Sequence, residues 1–184
     1  MNDSGTLSRR RLLAATALAL TAGCQSEESA PEPVTLSGDE NCDQCGMVIG
    51  QHPGPAGETY YEDERPTGHD PPARFCSAVC TYRHRFENEP QGWTPDVTYL
   101  TDYSSVDYEV TEDAGPTVVS RHLDAAAFAE TTGLTVVVGT DVQGAMGPAL
   151  VPFGDESDAT AFADEYGGQT VAATDLTREA VERQ

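Results

Sequence analysis

Two close pairs of cysteines, Cys42–Cys45 and Cys76–Cys80, constrain this 184-residue chain more than any other feature. In Cys42-Asp-Gln-Cys45-Gly46-Met47, a Cys-x-x-Cys turn brings two thiols within reach of one metal ion, and the glycine after it lets the backbone bend tightly. Met47 adds a thioether at the same point. In Cys76-Ser-Ala-Val-Cys80 the thiols stand four residues apart, which on a helix puts them on one face. Spacing alone leaves three chemistries open. One is a structural Zn(II) site of four cysteines. Another is a pair of disulfides, for which four cysteines allow three connectivities. The third is a Cu(I) site, for which thiolate and thioether donors are selective.

The methionines bear on this choice. Beyond the initiator there are only Met47 and Met146. A gap-filling methionine belongs among leucines and valines. Both of these instead stand beside glycine in polar turns, Cys45-Gly46-Met47 and Gly144-Ala145-Met146-Gly147-Pro148. That placement suits a metal ligand and makes Cu(I) the leading reading, with Zn(II) the alternative. Of the histidines, His52 is closest in sequence to the sulfur residues and is the one candidate for an additional donor. His69, His84 and His122 read as surface or internally satisfied residues. The chain carries no phosphate-binding glycine loop, nucleophile elbow or zinc-protease motif, so the expectation is a binding protein and not an enzyme.

The N-terminus reads as an export address. Arg9-Arg10-Arg11 precedes an uncharged run from Leu12 to Leu20, and Thr21-Ala22-Gly23-Cys24 follows. A basic region, a short apolar region and a small-residue cleavage site make a signal peptide. The paired arginines match a twin-arginine signal, and the apolar run falls short of the roughly 20 residues a membrane span needs. The Ala-Gly-Cys ending resembles a lipoprotein box, with Cys24 lipidated and the protein held on the extracytoplasmic face of the cell membrane. The formal charge is -21, with arginine as the only basic residue type. So acidic a surface repels nucleic-acid phosphates and argues against that partner. It suits a solvating shell at high salt, where screening relieves self-repulsion.

Residue patterns place the folded part in the α+β class. Residues 1–23 are the leader and 24–40 an acidic, proline-bearing tether. Two small related strand-strand-helix-strand units follow, 41–103 and 134–184, joined by a connecting segment, 104–133. In the first unit, strands are expected at Met47–Gly50, Glu58–Tyr61 and Val97–Asp102, with a helix over Cys76–Glu89. In the second, strands are expected at Leu134–Val138, Ala149–Phe153 and Gln169–Ala173, with a helix over Asp158–Tyr166 capped by Ser157. Pro152 marks an edge or strand end. The connecting segment is expected to hold extra strands within Tyr108–Ser120 and a short amphipathic helix over Asp124–Thr131.

The Cys45-Gly-Met47 start, the Met146-Gly-Pro-Ala-Leu-Val-Pro-Phe153 segment and the lipoprotein leader together resemble NosL, the accessory copper-binding lipoproteins of nitrous oxide reductase maturation. The resemblance covers roughly residues 40–175. It implies two small strand-strand-helix-strand units, extracytoplasmic Cu(I) binding, and delivery to a client copper enzyme, nitrous oxide reductase, or to its assembly factors. Carried over by position, Cys45, Met47 and Met146 match that family, and Cys42 matches the first cysteine of the turn. The first half also resembles the YHS/TRASH metal-binding module through Cys45-Gly, Phe75-Cys76-Ser77-x-x-Cys80 and Phe86-x-x-x-Pro90, with Arg65–Pro72 as an insertion. That second resemblance implies a Zn or Cu structural or sensing module without a delivery role. A third reading is an exported thiol–disulfide protein using Cys42 and Cys45.

Overall fold

The fold is a computed structural model, and the residues described are 29–112 and 115–184. The leader and the expected lipidation site Cys24 lie outside them. Strand β1 (Gly57–Tyr61) is flanked by β2 (Ala73–Phe75), and helix α1 (Ala78–Asn88) leads from β2 to β3 (Pro95–Thr101). All pairings in this first sheet are antiparallel, with β1 opposing both β2 and β3. Short strands β4 (Val110–Thr111) and β5 (Val118–Val119) follow, and β6 (Phe128–Glu130) then pairs with the far edge of β3, giving the order β2-β1-β3-β6.

The second sheet is built from β7 (Thr135–Val138) and, after a small hairpin of β8 (Gln143–Gly144) and β9 (Gly147–Pro148), from β10 (Val151–Phe153) and β11 (Gln169–Ala172). Helix α2 (Glu156–Tyr166) connects β10 to β11, and α3 (Arg178–Glu182) closes the chain. The order β10-β7-β11 places the first strand between the other two, as β2-β1-β3 does in the first sheet. Pro152 lies in the edge strand β10, where its missing N–H leaves no donor unpaired in the sheet centre. The β8–β9 hairpin joins β4 and β5 in a third sheet, order β4-β5-β8-β9.

Helix α1 lies between the two main sheets. Its Val79 and Tyr82 pack with Leu134, Val136, Leu150 and Val181 from the second half, while Cys80 packs among Phe75, Ala73 and Tyr99 of the first sheet. The helix sits so close to β1 that a Cβ on Gly57 would fall 2.3 Å from the Thr81 Oγ1 and 2.8 Å from Leu100 Cδ2. Only glycine permits that approach. The Tyr82 hydroxyl donates across the interface to the Ala173 carbonyl at 2.9 Å. The opposite face of the second sheet, with Val137, Val151 and Phe153, is covered by Ala159 and Phe162 of α2.

Several local expectations are corrected. Met47–Gly50 is not a strand: Val48 forms a single bridge with Asn41 and the chain turns into a 3-10 helix at Ile49–Gln51. The strand partnering β1 comes instead from Ala73–Phe75, three residues too short to show alternation. Helix α1 starts at Ala78, because Ser77 turns its hydroxyl onto the Cys80 N–H and caps it. Asp155, not Ser157, caps α2 by accepting from the Ser157 N–H. The stretch Asp124–Thr131 forms a 3-10 turn and then strand β6, because the open edge of β3 offers it a ladder of backbone partners.

The acidic tether is also shorter than expected. Residues 31–40 lie across the face of the first sheet that α1 leaves uncovered. Leu36 is buried, and its N–H donates to the Leu123 carbonyl. The hydroxyls of Tyr60 and Tyr99 donate to the Glu32 and Pro31 carbonyls. The Val34 N–H donates to Glu58 Oε2 at 3.1 Å. Polar composition hid this docking because the contacts are made largely by the strap's backbone and not by apolar side chains.

Glu58 carries a testable consequence. It is fully buried, and its Oε1 has no hydrogen-bond partner among the described residues. Burial pushes its pKa from 4.5 up to about 7, against the opposing pull of the Val34 N–H and the charge of Arg74. The folded state therefore holds a proton there that the unfolded chain has released, and the stability this confers is lost as pH rises from about 4.5 through 7. Denaturant midpoints at fixed high salt should fall across that window. A Glu58→Gln variant should show a flatter pH profile and exceed the parent at pH 8. Parallel profiles for the two proteins would show that Glu58 titrates normally.

Candidate metal centre

The turn carrying the first cysteine pair is fixed from both sides. The Cys42 N–H donates to the Met47 carbonyl at 2.8 Å, and the Gly46 N–H donates back to the Cys42 carbonyl at 2.8 Å. Gly46 holds φ +76°, a left-handed conformation that glycine adopts without steric cost. Asp43, between the two cysteines, clamps this turn to β2. Its N–H donates to the Arg74 carbonyl at 2.9 Å, and its Oδ2 accepts the Arg74 N–H at 2.6 Å. His69 Nε2 lies 3.0 Å from the other carboxylate oxygen, and the Arg74 guanidinium reaches Glu40 at 3.4 Å. Arg74 is two residues before Cys76, so the clamp delivers the first pair directly onto the second.

The result is a group of four sulfurs. Cys42, Cys45, Cys76 and Cys80 place their Sγ atoms all within 4.8 Å of one another, and all four are free thiols. Cys45 and Cys76 Sγ are 3.5 Å apart, and Cys76 and Cys80 Sγ are 3.7 Å apart. A regular tetrahedron of metal–sulfur bonds of about 2.3 Å has sulfur–sulfur edges of about 3.8 Å. The cluster is thus already near the size one ion requires. Cys76 does not share a helical face with Cys80; it lies between β2 and the capping Ser77 and reaches the cluster from the strand side.

Exposure divides the four. Cys42, Cys76 and Cys80 are buried, whereas Cys45 is exposed. Hydrogen bonds from the Cys76 and Cys80 thiols favour a thiolate at Cys42 and hold its pKa far below the usual thiol range. The same bonds to Cys42, together with burial, keep Cys76 protonated far above that range and push Cys80 up to about 12. A cation entering the group takes the place of these shared protons.

Met47 and Met146 are half-buried and pack against the core cluster that contains Cys42, Cys76 and Cys80. Met146 reaches it from the second half of the chain, at the tip of the β8–β9 hairpin. This hairpin is seated on the first half so tightly that a Cβ on Gly54 would come within 2.9 Å of Gly144 Cα. Both thioethers therefore do some of the packing that the sequence pattern argued against. His52 lies outside the four-sulfur group. His84 is engaged elsewhere, with its Nδ1 2.8 Å from the Tyr61 hydroxyl and its pKa lowered by burial. Asp43 is the residue that sequence reasoning passed over. In so acidic a chain a carboxylate carries no signal, and only its place between the cysteines hints at the role.

This architecture defines an α+β protein with a soft, all-sulfur group able to hold a metal ion, open to solvent at one member. A family model described as NosL matches residues 33–181, and the chain belongs to that family. The match begins inside the segment expected to be tether, in keeping with the docked strap. The chain is 30% identical over 154 residues to a copper-binding lipoprotein NosL of Stutzerimonas stutzeri, covering 81% of this chain and 70% of that protein. Its fold is similar to the crystal structure of the copper chaperone NosL from Shewanella denitrificans, with a TM-score of 0.61 at 24% identity, covering 81% of this chain and 98% of the other. No helix among the described residues is long and apolar enough to cross a membrane.

The Asp43 clamp can be tested. Hydrogen bonds to a charged partner contribute about 1.5–3 kcal/mol. Asp43→Ala should leave four titratable thiols in the folded domain but let the Cys42–Cys45 turn drift from β2. Affinity for a thiophilic ion, measured by chelator competition, should fall at least about tenfold, which corresponds to about 1.4 kcal/mol. Unchanged affinity would mean that the turn is held by other contacts.

Proposed function

We propose that this protein carries Cu(I) outside the cytoplasm and passes it to a client copper enzyme, nitrous oxide reductase, or to the factors that assemble it. The observation that carries the reading is the convergence of Cys42, Cys45, Cys76 and Cys80, with Met47 and Met146 packed against the same core. Thiolate and thioether donors select Cu(I). The names of the relatives, a copper-binding lipoprotein and a copper chaperone, support it. In this reading the ligands are drawn from Cys42, Cys45, Cys76, Cys80, Met47 and Met146, and lipidated Cys24 holds the protein at the outer face of the cell membrane.

A carrier must release its ion, and the exposure of Cys45 provides for that. Three sulfurs are buried, so an incoming donor from a client meets the ion on the Cys45 side. Met47 sits on the same turn, and Met146 closes the site from the other half of the chain. A thioether is neutral and bonds less strongly than a thiolate, so it holds the ion without trapping it.

A closed Zn(II) cage of the four cysteines is the second reading. It is favoured by the burial of three thiols and by sulfur spacings close to a tetrahedral edge. Met146 separates the two, since a four-cysteine Zn(II) cage has no use for it. Met146→Leu preserves volume and should cost under about 1.5 kcal/mol of stability. It should weaken Cu(I) binding, measured anaerobically against a Cu(I) chelator, and lower copper loading of the client. A well-folded variant with unchanged Cu(I) affinity would remove Met146 from the site and favour the cage. Fractionation of cells carrying Cys24→Ser tests the anchor: the variant should leave the membrane fraction.

A further inference from the structure

We propose that the cluster also reduces copper: it takes Cu(II), supplies electrons from the Cys45–Cys76 pair, and retains one of the two Cu(I) produced on the sulfurs that remain. This rests on the Cu(I) reading above and extends it from carrying the ion to generating it.

Three features point to this pair. The Cys45 and Cys76 sulfurs are 3.5 Å apart, closer than the 3.7 Å between Cys76 and Cys80. A disulfide bond is about 2.05 Å, so closure needs a shift of about 1.5 Å. Cys45 is exposed and lies on a short turn next to Gly46, at the solvent side where an arriving ion makes first contact. The other close pair, Cys76 and Cys80, is fully buried, and Cys80 is held in the first turn of α1 by the Ser77 cap. Cys45–Cys76 is thus the pair that combines proximity and access.

The donor set supplies the driving force. Cu(II) is best held by nitrogen and oxygen in a tetragonal arrangement. The group contains only cysteines, with no histidine or carboxylate in it. Cu(II) entering here is poorly coordinated, whereas Cu(I) is well coordinated, and that difference favours electron transfer from sulfur to metal.

The step balances. Two Cu(II) ions each gain one electron, the Cys45 and Cys76 thiols lose two protons and two electrons, and one sulfur–sulfur bond forms. The products are two Cu(I), one Cys45–Cys76 disulfide and two protons taken up by water. Cys42 and Cys80 are not consumed; their sulfurs lie within 4.8 Å of each other, one from each segment of the site, and form a two-sulfur seat for one Cu(I), while the second Cu(I) passes to an external acceptor such as a chelator. The reaction runs once per reduced chain; repeated use requires a thiol reductant to reopen the disulfide.

The test uses the mature protein, fully reduced, metal-free and oxygen-free, with copper(II) sulfate as the probe. Two equivalents should lose their Cu(II) paramagnetic resonance signal and appear as two Cu(I) per chain in a Cu(I)-specific chelator. Thiol titre should fall from four to two, and peptide mapping should find a Cys45–Cys76 link within single chains. Cys45→Ser should slow the reduction at least tenfold, while Cys42→Ser, which keeps the donor pair, should still yield the same disulfide. Cu(I) supplied directly to separate samples distinguishes the two ideas. Tight Cu(I) binding with a persistent Cu(II) signal overturns reduction alone, and failure to bind Cu(I) overturns the carrier reading beneath it. A link between other cysteines, a link between chains, or unimpaired reduction by Cys45→Ser also overturns the proposal.

Discussion

Burial of helix α1 on two opposite sides is the constraint on which the rest of the structure depends. Val79 and Tyr82 face the second half of the chain, and Cys80 faces the first sheet. Burying a valine-sized side chain contributes about 1.5–3 kcal/mol, so this one helix ties the two sheets into a common interior. The N-terminal turn of the same helix fixes Cys80, and the strand feeding it fixes Cys76. Two of the four cysteines of the candidate metal centre therefore stand at the start of a helix buried on both sides. The β8–β9 hairpin, between β7 and β10 in the chain, seats Met146 against the core cluster that holds Cys42, Cys76 and Cys80.

The Cys42–Cys45 pair comes to this fixed point by a polar route. Asp43 bonds the backbone of β2 on both its N–H and its carboxylate, so the Cys42–Cys45 turn behaves as an added edge of the first sheet. Four sulfurs so collected share hydrogen bonds, which lower the pKa of Cys42 and raise those of Cys76 and Cys80. The chain is strongly acidic, yet no carboxylate belongs to the sulfur group. A donor set of sulfur alone favours soft ions over hard ones.

The chemistry was easier to read from the sequence than the backbone around it. The Cys42–Cys45 and Cys76–Cys80 pairs signal a site by residue type and spacing, and the structure gathers all four. Strands with sustained β-branched runs, such as Thr135–Val138, and helices with clear stops, such as Gly167 after Tyr166, were legible within a residue or two. The losses have physical causes. Strand β2 is three residues long and leaves no period to detect. The Phe128–Glu130 strand follows alanines that mimic a helix, and only the vacant edge of β3, distant in sequence, decides its state. The strap at 31–40 docks through backbone groups, which composition does not encode. Asp43 was invisible among 31 acidic residues, although it aligns the site.

The central claim is that one soft ion sits among these cysteine sulfurs, and X-ray absorption at the copper edge of the anaerobically loaded protein tests it most directly. The account requires a Cu(I) edge and a nearest shell made only of sulfur, lost together with stoichiometric copper when Cys76 and Cys80 are both changed to serine in a protein whose folding is verified by circular dichroism. A nearest shell containing nitrogen or oxygen, or full copper retention in that double variant, would contradict it.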